Sequence, residues 1–175
     1  MLLTDYNKIG DWFYIIIAAL LVDFIVIVLT KYPGQNPTFK VKSLNKWYDK
    51  FQTLAVLSDV TSLLIGIAVA RYIYTLLRLK NPLYFFLILI MFQLLHDLFF
   101  FTVVITPIKK GENQMIDVFK SYAKENGAKI LLADAAMLIS TVVVAATLSS
   151  IPDHYTVSLG ITTLYALSYI VFTNK

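Results

Sequence analysis

Apolar runs long enough to cross a lipid bilayer recur along this chain, at about 12–30, 53–79, 82–106, 129–149 and 154–173. A helix rises about 1.5 Å per residue, so roughly 20 residues cover the ~30 Å hydrocarbon core. Backbone in lipid has to satisfy its own hydrogen bonds, and each isolated run is therefore read as a helix. The second and third are long enough to tilt or to reach beyond the membrane. Thr162, Thr163 and Ser168 dilute the fifth. Hydrophobic residues make up 58% of the chain and charged residues 15%, against roughly 25% charged in an average globular protein. A domain of 175 residues has too much surface for its volume to hide that apolar content from water. The expected fold is all-α, a polytopic transmembrane helix bundle of about five spans forming a single membrane domain, 1–175.

The connections carry their own chemistry. Lys31-Tyr32-Pro33-Gly34 stops the first span, and Asn81-Pro82 supplies a cap and a first-turn proline, making spans two and three a tight hairpin. Pro107 closes the third span, and Ser150, Pro152 and Asp153 form the turn into the fifth. Two amphipathic helices are expected in the longer connections, at about 43–52 and 113–126. Ser43 would cap the first, with Leu44, Trp47, Tyr48 and Phe51 on one face; Asn113 would cap the second, with Met115, Ile116, Phe119 and Tyr122 apolar and Gly127 as its stop. Both read as helices lying in the headgroup layer. Lys46, Trp47, Tyr48, Lys50, Phe119, Lys120, Tyr122 and Lys124 are their expected membrane-surface anchors, in contact with anionic headgroups.

Eleven Lys residues fall on the side holding those two connections and the C-terminus, against three Lys and Arg (Lys8, Arg78, Lys80) on the other. The positive-inside rule then puts the N-terminus outside and the C-terminus in the cytoplasm. Asp5, Lys8 and Asp11 precede the first run in place of a basic region, so it is read as a retained span and not as a cleaved signal. Asn36-Pro37-Thr38 is disqualified as a glycosylation acceptor by its proline.

Asp23, Asp59, Gln93, His96, Asp97 and Asp134 sit inside the apolar runs. A charge at a helix centre costs about 2.5–3.5 kcal/mol on insertion scales, so such residues turn toward protein or water. Successive spans run antiparallel, and all four aspartates fall near the Lys-rich ends of their helices, roughly 8–14 Å below that surface. They form a layer. Small residues share their faces: Asp59 with Ser62 and Gly66, Asp134 with Thr141 and Ala145, Asp23 with Ala19. Gln93, His96 and Asp97 lie on one arc. The layer is the candidate proton or cation site, with His96 and Asp97 at its centre and His96 as proton-sharing partner; the alternative is a set of hydrogen-bonded carboxyls that only pin helices together. Arg71 is read as an anchor snorkelling to the opposite face beside Tyr72 and Tyr74.

An internal repeat accompanies the layer. Asp23 and Asp59 are 36 residues apart, Asp97 and Asp134 are 37 apart, and a Lys-x-Tyr-x-Lys pattern (Lys46–Lys50, Lys120–Lys124) precedes the second acid of each pair. Repeats place sites at their interface in many transporters. The absence of cysteine excludes disulfides and thiolate sites, and no P-loop, G-x-G-x-x-G, H-E-x-x-H or G-x-S-x-G motif occurs. No cofactor, metal or nucleic-acid partner is expected, and an enzyme acting on lipids through His96 and Asp97 is the remotest of the readings.

The stretch Gln93-Leu94-Leu95-His96-Asp97, then Thr106 through Asp117, and later Lys124-Glu125-Asn126-Gly127-Ala128-Lys129 and Ala133-Asp134, resembles uncharacterised multi-span membrane proteins of nucleocytoplasmic large DNA viruses, over about 40–150. The resemblance implies a place in a virion's internal membrane or in infected-cell membranes and brings no activity or site residues. Two functions are then expected: a structural or assembly component that binds capsid or other membrane proteins, or further copies of itself, through its basic face; or a small proton or cation channel or transporter using the acid layer.

Overall fold

The computed structural model describes residues 2–36 and 39–173; Pro37, Thr38 and Lys175, which entered the expectations above, lie outside them. Helices α1 (Asp11–Lys31), α2 (Lys42–Phe51), α3 (Thr53–Leu76), α4 (Pro82–Phe99), α5 (Gln114–Asn126), α6 (Lys129–Leu148) and α7 (Asp153–Ile170) follow one another, and α4 continues as a π-helical segment, Phe100–Ile105. The described residues contain no strand. Four helices, α1, α3, α4 with its extension, and α6, are long and apolar enough to cross a membrane. The fifth expected span, α7, has the length but not the apolarity, because Asp153, His154 and its hydroxyl residues offset its leucines.

Local chemistry accounts for most boundaries. Asn81 Oδ1 accepts from the Leu83 amide at 2.9 Å with Pro82 at the first helical position, as the hairpin reading required. Asn113 Oδ1 caps Met115 and Ile116 at 2.9 and 3.1 Å, and Gly127 ends α5 at φ +53°. Two boundaries differ from expectation. The third helix stops at Leu76 and not near 79, with Arg78 turning the chain at φ +51°. Ser43 lies inside the first turn of α2 and does not cap it; the N-cap position is Val41, which has no capping side chain.

In the bundle α1 packs on α3 and α6, α4 packs on the same two helices, and α3 touches α6 across the centre. Gly66 lets α3 approach closely: a β-carbon there would stand 3.2 Å from Leu138 of α6 and 3.8 Å from Gln93 of α4. Helix α7 packs on α1. Tyr14 donates to Asp153 at 2.7 Å near one end of α1, and Lys31 Nζ donates to the Thr173 carbonyl at 2.6 Å at the other, so the two helices run parallel along their whole length. Gly160 allows this contact, since a β-carbon there would meet Ile17 at 3.1 Å.

Arg71 corrects the anchor reading. Its side chain is fully buried and faces neither lipid nor headgroups. It stacks over Trp12 at 5.0 Å, and Nη2 donates to the Lys8 carbonyl and Asp11 Oδ2, both at 3.0 Å, and to the Asp5 carbonyl. Thr75 Oγ1 accepts from the Tyr6 amide at 2.9 Å. A buried guanidinium needs acceptors, and the N-terminal segment supplies those of Nη2 by folding back over this end of the bundle, while Nε and Nη1 have no protein acceptor. Arg71→Met should therefore destabilise the protein by on the order of 3 kcal/mol, the scale of breaking a buried pair. Thermal unfolding in detergent reads the loss, and protease sensitivity limited to the segment before Asp11 reads its release; unchanged stability would remove Arg71 as the clamp.

Candidate functional site: a carboxylate layer under an aromatic lid

The four aspartates expected to form a layer are brought together. Asp23 of α1 is fully buried, and the field of Asp59 of α3 reaches it. Asp134 of α6 lies within electrostatic reach of both Asp97 of α4 and Asp59. Asp97 Oδ1 accepts from Gln93 Nε2 at 2.7 Å and faces His96 Nδ1 at 3.2 Å. The His96 ring is held between Phe92 and Phe100, with centroids 6.1 and 5.9 Å away. Carboxylates from four helices thus share one depth with an amide and an imidazole. Of the small residues expected on their faces, Ala19, Gly66, Thr141 and Ala145 are buried and Ser62 is half-buried.

The aromatic members of the expected surface anchors belong to this site. Trp47 and Tyr48 are 3% and 1% exposed. The Trp47 indole donates to both oxygens of Asp59 at 3.1 and 3.3 Å, and the Tyr48 hydroxyl lies 3.4 Å from Asp23 Oδ1. Helices α2 and α5 pack against each other. Phe119 stacks on Trp47 at 4.8 Å, and Tyr122 is half-buried within the fields of Asp134, Asp59 and Asp97. The apolar faces of the two amphipathic helices therefore cover the carboxylates and not the lipid. The physical reason is hydrogen-bond demand: carboxylates near the end of a bundle need donors, and indole and phenol supply them while sealing out water. Lys46, Lys50 and Lys124 remain exposed on the outer side. Lys120 bonds back to the carbonyls of Ile108 and, at 3.4 Å, Thr106.

Burial pushes the Tyr48 hydroxyl well above the ordinary tyrosine range, with Asp59 and Asp23 adding to it. Tyr122 is raised by burial first, then by Asp134 and Asp59. Both therefore stay protonated donors. Two carboxylate oxygens still lack any protein partner: Asp23 Oδ2 and Asp97 Oδ2, each buried. Among the described residues no three His, Cys, Asp or Glu side chains come close enough to share one metal ion. The chemistry on offer is a proton, a water or a monovalent charge on separate carboxyls.

One ion-pair-like tie that the spacing of the sequence did not reveal holds the lid. Glu125 of α5 accepts from the amides of Lys42 and Ser43 at 2.9 and 2.8 Å and from the Ser43 hydroxyl, so it caps α2 from another helix. Lys31 of α1 is buried and pairs with Asp49 of α2 at 2.6 Å. Neither contact could be read from local pattern, because each joins residues far apart in sequence. No protein-family model, curated protein or solved structure matches the chain.

Desolvation raises the Glu125 carboxyl, but the bonds from Ser43 and Lys42 outweigh it and hold it below its ordinary range. A depressed carboxyl contributes its stabilisation above the unfolded value, about 4.3, and loses it as pH falls through the folded value. In a Trp12→Phe background, acid release of the lid should thus appear as a Trp47 fluorescence change below about pH 4. Glu125→Gln should give the altered signal already at pH 7, because its amide nitrogen cannot accept. An unaltered acid transition in that variant would show that Glu125 does not hold the lid.

Proposed function

We propose that this chain is an integral membrane protein of five spans that binds and passes protons, or a monovalent cation, at the carboxylate layer beneath its lysine-rich face. The observation that carries the reading is the pair of buried carboxylate oxygens, on Asp23 and Asp97, that no protein donor fills. An empty acceptor in a low-dielectric interior is unfavourable. A proton, a water or a cation fills it. The absence of a three-ligand cluster among the described residues favours protons over a divalent metal. Asp23, Asp59, Gln93, His96, Asp97 and Asp134 are the groups of this site.

Five spans are favoured over four by the course of α7, which keeps pace with α1 from Tyr14 to Lys31 and so covers the same depth. Its hydroxyls at Thr156 and Thr163 are buried within the protein, and those of Ser158, Thr162 and Ser168 on its exposed side bond back to carbonyls of the same helix. The chain lacks cysteine, which makes the topology directly measurable. Single cysteines at Ile151 and Phe172 should be labelled by an impermeant maleimide from opposite sides of sealed vesicles. Labelling of both from one side would reduce the count to four. The orientation expected from the lysines predicts Phe172 on the cytoplasmic side.

Purified protein in liposomes tests the function itself. A pH gradient or a monovalent cation gradient should dissipate faster than in empty vesicles. Asp23→Asn and Asp97→Asn should each slow that flux about a hundredfold or more, the order seen when a positioned proton-transfer group is removed. Wild-type flux equal to that of empty vesicles sinks the reading. A second reading, a structural or assembly role in a viral membrane, is favoured by the exposed Lys42, Lys46, Lys50 and Lys124, a basic surface suited to anionic headgroups or to acidic faces of capsid or membrane partners.

A further inference from the structure

Two halves of the chain repeat one design. Each runs apolar helix, amphipathic helix, apolar helix: α1-α2-α3, then α4-α5-α6. The packing follows suit, since α1 and α4 each contact both α3 and α6, while α2 meets α5. The joints match in detail. Gln52, between α2 and α3, has φ +48° and ψ −120°; Gly127, between α5 and α6, has φ +53° and ψ −135°. A positive φ is rare for glutamine, so the shared conformation belongs to the architecture. Seven residues after each joint comes an acid, Asp59 or Asp134. The buried positions that follow, Leu63, Gly66, Ile67 and Ala70, correspond to Leu138, Thr141, Val142 and Ala145. In the first helix of each half, Leu20-Leu21-Val22-Asp23 corresponds to Leu94-Leu95-His96-Asp97. The lid register differs by one residue from the Lys-x-Tyr-x-Lys alignment: counting back five from each joint pairs Trp47, which binds Asp59, with Tyr122, which faces Asp134.

The carboxylate layer is therefore two half-sites, and the differences between them are informative. Around Asp23 the first half-site is closed: Val22 and Asp23 are buried, with Tyr48 over them. In the second, Val22 is replaced by His96, whose side chain is 33% exposed while Nδ1 faces Asp97. Asp97 and Asp134 are themselves only half-buried. Helix α4 departs from α-geometry three residues beyond Asp97, where the π-helical segment begins at Phe100, the residue stacked on His96. Such segments concentrate at functional sites.

We infer that the layer is a duplicated pair of proton-binding half-sites, and that protons reach it sideways through His96 of the second one. This rests on the function proposed above. His96 Nε2 takes a proton from water at the lysine-rich end of α4, and the proton on Nδ1 passes to Asp97 Oδ1; a ring flip or tautomer exchange resets the imidazole, so one proton enters and one is delivered. Gln93 on α4 bonds to Asp97, and Asp134 on α6 and Tyr122 on α5 lie within its electrostatic reach, with Asp59 of α3 beyond them.

His96→Val installs the residue of the first half-site at a position already facing outward. In liposomes it should lower proton flux by about a hundredfold, the lower end of what a positioned proton-transfer group contributes. Free imidazole added at millimolar concentration should restore most of that flux, which a misfolded variant would not allow. Asp97→Asn should lose flux that imidazole does not restore. If His96→Val keeps full flux while Asp97→Asn loses it, the layer conducts and the His96 route is wrong. If His96→Val loses flux without rescue, the relay is also overturned. If Asp97→Asn and Asp23→Asn both keep wild-type flux, the functional reading fails before the route is reached.

Discussion

Four carboxyl groups set among apolar helices near one end of the bundle, Asp23 fully buried and Asp59, Asp97 and Asp134 half-buried, set the terms for the rest of this molecule. Each needs donors, and helix backbones have none to spare. Lipid offers none either. The donors have to come from side chains brought in across the bundle end, which is why α2 and α5 fold inward and place Trp47, Tyr48 and Tyr122 against the acids. The lid in turn needs fixing, and Glu125, with its bonds to Lys42 and Ser43, and Lys31, with its pair to Asp49, supply that. Small residues on the acid-bearing faces allow the four helices to approach closely enough for the fields of the acids to meet.

The far end of the bundle meets the opposite demand by different means. There a single buried cation, Arg71, needs acceptors, and backbone carbonyls from the first residues provide them together with Asp11. Backbone carbonyls suit this because a guanidinium donates from a planar fork and tolerates neutral acceptors. The aspartates of the layer sit within their helices, away from the free amides of a helix N-terminus, so their donors are side chains: Trp47, Tyr48 and Gln93. One end is plugged by chain and the other by rings, and the difference follows from the sign of the buried charge.

Much of this was legible in the sequence, and the boundary of legibility is physical. Length and apolarity located α1, α3, α4 and α6, and Asn81-Pro82, Asn113 and Gly127 marked their ends and those of α5, because these signals act within a few residues. The acid layer was legible because antiparallel helices of similar length convert sequence position into depth. Which way an amphipathic helix turns was not. Trp47, Tyr48 and Tyr122 fit a headgroup layer as well as a bundle end, and only the demand of Asp59 and Asp23 for donors decides between them. Arg71 misled for the same reason: snorkelling is the default for a lone arginine, and the acceptors that keep it inside come from a segment some sixty residues earlier.

The repeat explains why charge of this kind is tolerable in so small a protein. Two copies of one unit, placed side by side, put each acid-bearing face against the other copy and each lid helix against its counterpart, so a single solution to burial serves twice. Symmetry of that sort leaves two equivalent sites with nothing to choose between them. The half-exposed histidine that stands at the position of the buried Val22 breaks the tie, because it sets Asp97 beside an accessible imidazole while Asp23 is enclosed. The unfilled oxygens on Asp23 and Asp97 therefore lie in unlike surroundings, one fully enclosed and one beside a partly exposed ring.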